Sequence, residues 1–151
     1  MSESAEPAGD STREYWITWN DMGVDELLSI VPTQVYDTER GEEYTLSPAD
    51  IGLSEGRPFE ELKPVEDIDS TVAHFMALIG GVGPAAAIES IKLNAAALAV
   101  NAHIAKDWPE ALQMAGDAMA AGEPARLIES LRAHAEEARA GAAAAKGAGG
   151  A

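Results

Sequence analysis

This sequence predicts an α/β fold in which a partial sheet of a few strands is followed by a helical run. Three observations carry that prediction. The first third of the chain holds short β-branched and aromatic segments, YWITW at Tyr15–Trp19 and the pair Val31–Asp37 and Glu42–Leu46. Pro84–Lys106 is long, rich in Ala and Leu, and broken by Pro or Gly only at its start, so it reads as a helix and the core of the fold. Helix start and stop signals then repeat toward the end of the chain.

Met1–Glu14 is polar, acidic and poor in bulky apolar residues, which predicts a disordered leader over 1–14. Tyr15–Trp19 is a short strand, and Asn20–Gly23 turns the chain into Asp25-Glu26. Val31–Asp37 and Glu42–Leu46 flank Thr38-Glu39-Arg40-Gly41 as a hairpin, with Gly41 free to take positive φ. Ser47 and Pro48 read as N-cap and first position of a one-turn helix that Gly52 ends, and Ser54–Lys63 reads as a loop.

Ile68–Ile79 is an amphipathic helix carrying Val72, Phe75, Met76 and Ile79, closed by Gly80-Gly81-Val82-Gly83. In the core helix, Ile88, Ile91, Ala95, Leu98 and Ala102 form one apolar stripe. A second stripe of Leu93, Ala97, Val100 and Ile104 predicts that most of the circumference is buried. Asn94 and Asn101 lie two turns apart on one side, where a buried amide needs partners. Asp107 caps a helix over Pro109–Ala120 that buries Leu112, Ala115 and Met119, and Gly122 ends it. Pro124–Ala138 is the last helix, with Leu127, Ile128 and Leu131 inward. Beyond it the domain of 15–138 gives way to an Ala/Gly-rich tail over 139–151.

Composition narrows the function classes. The formal net charge of −16 opposes binding to nucleic acid, whose phosphates it would repel. With no Cys there is no disulfide framework and no thiolate metal site. No apolar run reaches membrane-spanning length and no segment resembles a signal peptide, so the expectation is no membrane and a cytoplasmic location.

Asp21, Asp25 and Glu26 are the best candidates for chemistry. Carboxylates on a tight turn just after a strand can hold a hard divalent cation, which prefers oxygen ligands. By residue type alone, most such turns are solvated surface or helix N-terminal charge. Gly80-Gly81-Val82-Gly83-Pro84 lacks the Lys and Ser/Thr of a phosphate loop and reads as a helix-to-helix turn. His74, His103 and His134 have no metal-ligand spacing, and Trp16, Trp19 and Trp108 read as core or interface aromatics.

The order of pieces resembles the C-terminal part of the anthranilate phosphoribosyltransferases, of the glycosyltransferase family 3 fold. Ile17–Leu27, ITWNDMGVDEL, is similar to a family strand ending in VVHG-x-D-G-L-D-E-L. Pro32-Thr33-Gln34-Val35, Gly41, and the run Tyr44 to Leu53 follow in the family's order, as does the Leu-Asn-Ala-Ala-Ala-Leu helix at Leu93–Leu98. The resemblance covers Ile17 to about His134. It implies that Asp25 and Glu26 correspond to the acidic pair that binds Mg2+ at the diphosphate of phosphoribosyl pyrophosphate, the small-molecule substrate. The implied reaction is transfer of the phosphoribosyl group to anthranilate, in tryptophan biosynthesis.

The family's Gly-Thr-Gly-Gly-Asp loop and Lys-His-Gly-Asn-Arg segment have no counterpart in these 151 residues, and Trp19-Asn20 stand where the family has His-Gly. The expectation is therefore a split or truncated phosphoribosyltransferase. It would work with an N-terminal half-enzyme carrying the glycine-rich half, or self-associate. Two alternatives stand beside it, a catalytically silent remnant kept as an interaction or regulatory module, and a relative using another aromatic acceptor.

Overall fold

The computed structural model describes residues 15–54, 56–65 and 67–148, the last six of these as backbone only. The expected leader over 1–14 lies outside the described residues. Three strands, β1 (Trp16–Trp19), β2 (Thr33–Asp37) and β3 (Glu42–Leu46), form an antiparallel sheet in the order β1-β2-β3. Four helices follow, α1 (Ile68–Ile79), α2 (Ala85–Asn101), α3 (Trp108–Ala120) and α4 (Glu123–Ala148). The expected α/β architecture, strands first and helices after, is what the chain adopts.

The register sets Trp16 opposite Asp37 and Asp37 opposite Glu42, with Val35 opposite Thr18 on one side and Tyr44 on the other. Side chains alternate across a strand, so Thr33, Val35 and Asp37 share one face and are buried there, while Ile17, Trp19 and Tyr36 stand exposed on the other. The β2–β3 turn closes on Asp37, whose carboxylate accepts from the Glu39 and Arg40 amides at 2.9 and 3.2 Å. Gly41 takes φ of 65° there, which its missing Cβ allows.

Leu27, Val35, Leu46, Leu93 and Ala97 make the main core, flanked by Trp16, Tyr44 and Trp108. Ala96, Ala105 and Ala111 make a second cluster, where small side chains let α2 and α3 approach closely. The start of α2 is held from a distance. Glu61 accepts from the Ala86 amide at 2.9 Å, placing negative charge at the positive end of the helix. One turn along, Arg57 grips Glu89 with two parallel bonds of 3.0 and 3.1 Å.

Several expectations are corrected. On α2 the buried residues are Ala86, Ala87, Ser90, Leu93, Ala96 and Ala97. The stripe through Ile91, Ala95, Leu98 and Ala102 is exposed, Leu98 at 71%, and so is Ile104. An apolar stripe marks a face that prefers burial, and among the described residues no element covers this one. The same holds on α1, where Val72, Phe75 and Met76 are exposed and only Ile79 is buried, and on α4 for Leu127 and Leu131.

The core helix stops at Asn101 rather than running to Lys106, because His103 adopts φ of 54°. The Ile104 amide bonds the Ala99 carbonyl at 2.8 Å and the His103 amide bonds Val100 at 3.0 Å, the paired bonds of a Schellman ending. Pro48, not Ser47, is the residue preceding the short 3-10 turn Ala49–Ile51, and a second such turn, Phe59–Leu62, lies in the expected loop. The last helix continues through the Ala/Gly stretch to Ala148, since alanine is the strongest helix former.

Candidate functional site

The turn after β1 is built by one side chain. Asn20 donates to the carbonyls of Val24 and Glu26, both at 3.1 Å, and its oxygen accepts from the Met22 amide at 3.0 Å. Gly23 reaches φ of 69° within the turn and donates back to the Asn20 carbonyl. Asp25 and Glu26 follow on this pinned segment, both exposed.

Leu27 and Ser29, which follow, are stitched to α2. Asn94 donates to the Leu27 carbonyl at 2.7 Å and accepts from the Leu27 amide at 3.2 Å. Its amide also donates to the Ser90 carbonyl, one turn back, at 2.8 Å. Ser90 in turn accepts from the Ser29 amide at 3.0 Å, and the Ser29 hydroxyl donates to the Ala86 carbonyl. Ser29 and Ser90 are buried, so these bonds replace water that cannot reach them. Backbone groups of Leu27 and Ser29, which lie outside the strands, are satisfied by side chains of α2.

Asp25 stands on the rim of a hollow of about 380 Å3 whose wall includes Trp16, Leu27, Asn94, Leu98 and Asn101. Among the described residues no Lys or Arg lines this hollow. Of the predicted site residues, Asp25 and Glu26 are consecutive in the chain and exposed, with Asp21 on the preceding turn, and of the three Asp25 lines the hollow. Among the described residues no three His, Cys, Asp or Glu side chains cluster in a way that could hold a metal. His74 lies on α1, His103 beyond the end of α2 and His134 on α4.

Two adjacent carboxylates fit a cation that takes its remaining ligands from water and phosphate oxygens, the usual habit of Mg2+, and do not make a closed protein cage. Sequence reasoning singled out Asn94 as an amide in need of partners but missed Asn20, Ser29 and Ser90. The signal for Ser90 was its place one turn before Asn94, on a helix face otherwise made of Ala and Leu. Among the described residues no helix is long and apolar enough to cross a membrane.

Residues 8–125 match the model of a glycosyl transferase family, α/β domain. The chain is 30% identical over 119 residues to an anthranilate phosphoribosyltransferase of Bacillus velezensis, covering 76% of this chain and 34% of the relative. The crystal structure of the Thermus thermophilus anthranilate phosphoribosyltransferase superimposes with a TM-score of 0.68 at 25% identity, over 78% of this chain and 34% of that one. The Saccharomyces cerevisiae enzyme, solved in complex with PRPP and Mg, shares the fold with a TM-score of 0.63 at 23% identity, over 77% of this chain and 33% of that one. The chain thus spans about a third of the length of the relatives it matches.

Proposed function

The chain belongs to the glycosyl transferase family of that α/β domain, and from this we propose that it supplies the acidic part of an anthranilate phosphoribosyltransferase site. The reaction is transfer of the 5-phosphoribosyl group from phosphoribosyl pyrophosphate to anthranilate. The observation that carries the reading is the Asp25-Glu26 turn, fixed by Asn20 and Asn94 at the edge of an open hollow. The relatives' names and the yeast complex with PRPP and Mg support it.

In this reading Asp25 and Glu26 hold magnesium through their carboxylates, while Asn20 and the α2 amide Asn94 keep the backbone between them in place. Bound magnesium supplies neutralisation of the charge that builds on departing pyrophosphate. The anthranilate amine is already a nucleophile, so the remaining task is positioning.

Holding a pyrophosphate and a 5-phosphate needs cationic or amide donors, and among the described residues the hollow beside Asp25 has no Lys or Arg. A glycine-rich phosphate cradle from outside these 151 residues completes the site in our reading. We place it against the edge of β1, which pairs with no strand on its far side among the described residues. Exposed Tyr15, Ile17 and Trp19 on and beside that strand support an apolar contact there. The same exposed face favours a second reading, a silent module that only binds its partner. Turnover on adding a glycine-rich half-enzyme separates the two.

Calorimetry tests the metal assignment. Magnesium alone should bind weakly, and more tightly when pyrophosphate contributes oxygens. Identical titrations for the wild type and an Asp25→Ala/Glu26→Ala double variant would remove the role.

A further inference from the structure

On the other side of Trp16 from the Asp25 hollow, with which it shares that ring, a pocket of about 390 Å3 lies between the β2–β3 hairpin and the start of α3. That volume is in the range of small-molecule sites. Its apolar surface is aromatic. Trp16 and Trp108 lie with ring centroids 5.8 Å apart at 35°, and Tyr44 meets Trp16 edge-on at 6.5 Å. Rings so arranged leave faces and edges on which a further planar group can stack.

Charges of both signs surround these rings, and most are already committed. The Asp37 carboxylate accepts from two backbone amides of the hairpin turn. Asp107 caps α3 through the Glu110 amide at 2.9 Å. Arg40 reaches Asp37 only at 3.7 Å, with its side chain 69% exposed. The remaining two are different. The side chains of Glu42 and Lys106 line the pocket, and among the described residues neither has an ion-pair or hydrogen-bond partner. The register explains the placement of Glu42, since Trp16, Asp37 and Glu42 form one cross-strand row. Lys106 arrives from the other side, on the segment that follows the Schellman ending of α2.

One uncommitted anion and one uncommitted cation across an aromatic floor match a ligand that is itself a dipole of charges with a planar side chain. We propose that this pocket binds an aromatic α-amino acid, its ring against Trp16 and Trp108, its carboxylate at Lys106 and its ammonium at Glu42. Arg40, weakly paired, adds a second donor to the carboxylate. The assignment is separate from the metal reading, since Asp25 does not line this pocket. Exposed charges contribute little each, so the affinity is modest, with a Kd on the order of 1 mM.

L-phenylalanine is the probe, because it leaves the emission of Trp16 and Trp108, two of the three tryptophans, as a readout. Titrations of the full chain should show L-phenylalanine binding about tenfold tighter than 3-phenylpropionate, which lacks the ammonium, or phenethylamine, which lacks the carboxylate. Lys106→Gln should reduce L-phenylalanine to the level of phenethylamine, and Glu42→Gln to that of 3-phenylpropionate. Asp25→Ala/Glu26→Ala should bind L-phenylalanine as the wild type does. Both pocket charges are exposed, so thermal melts should show the Gln variants folded. No emission change with L-phenylalanine up to about ten times the expected Kd overturns the proposal. Loss of binding in Lys106→Gln with none in Glu42→Gln also overturns it, and would identify a site for aromatic carboxylates instead.

Discussion

Asn94, on α2, pairs with the backbone of Leu27 as a neighbouring strand would, donating to its carbonyl at 2.7 Å and accepting from its amide at 3.2 Å. Asp25 and Glu26 are joined by the chain directly to that pair. Asn94→Ala strands both Leu27 groups, a cost of about 1–3 kcal/mol, at the low end because Asn94 is only half-buried. In a chain of this size the melting temperature should fall by about 2–4 °C for each kcal/mol. Affinity for magnesium with pyrophosphate should fall as well. An unchanged melt would show that the stitch contributes nothing.

The buried face of α2 is testable by contrast. Leu93 is 1% exposed and Leu98 is 71% exposed on the same helix. Leu93→Ala should cost about 2–5 kcal/mol in urea unfolding, and Leu98→Ala within about 0.5 kcal/mol. Equal costs would mean that the isolated chain covers Leu98, for instance by self-association, which a concentration series would reveal.

His103 occupies the left-handed conformation that ends α2, a place glycine takes without strain. His103→Gly should therefore stabilise the chain by about 0.5–1 kcal/mol. The variant also gives up the imidazole's contacts, among them an exposed 3.6 Å approach to Glu39 that is worth little by itself. A lower urea midpoint for the variant would show that the imidazole's contacts outweigh the backbone strain.

These two helix ends explain what was legible and what was not. α1 and α2 close with the same pair of backbone bonds, Val82 to Ala77 and Gly81 to Leu78 in one, Ile104 to Ala99 and His103 to Val100 in the other. Gly81 announced the first ending, and the second had no glycine to announce it, so the helix was extended through it. Strands, the hairpin and the Asp107 start follow from local rules and were readable. Asn20, Ser29 and Ser90 were not, because their partners are set by tertiary docking and a polar residue carries no mark of which backbone it meets. The acidic turn stood out by residue type, and only the resemblance to a family motif gave Asp25 and Glu26 a specific role.

Among the described residues the pH dependence has an acid contributor in Asp67 and an alkaline one in Tyr44. Asp67 caps α1, and its bonds to the Ser70 side chain and amide hold its carboxyl below the ordinary value of 3.8. Its contribution is present above that value and disappears as pH falls through the lowered one. Asp67→Ala should thus be less stable than the wild type near neutrality and converge with it in acid. A gap independent of pH would refute the assignment.

Tyr44 behaves oppositely. Burial, then Asp37, raise its phenol above the ordinary value of 10.0, with Arg40 opposing. The neutral ring's contribution is complete below that pH and is lost as pH rises through the raised value. Tyr44→Phe should flatten the alkaline limb of the stability profile. An alkaline limb identical to the wild type's would rule this out.

The stitch between the acidic turn and α2 also sets an order of events in time. Each strand pairs with its neighbour in sequence, and the β2–β3 hairpin closes over a few residues, a step of about 1–10 μs. The bonds that fix Leu27 and Ser29 join residues 57 to 67 positions apart, so they wait for closure of long loops. During synthesis the strands emerge well before Ser90 and Asn94 do. A nascent chain can therefore form the hairpin and the local Asn20 turn early, whereas the long-range bonds that anchor Leu27 and Ser29, next to Asp25 and Glu26, form only after α2 has left the ribosome and docked.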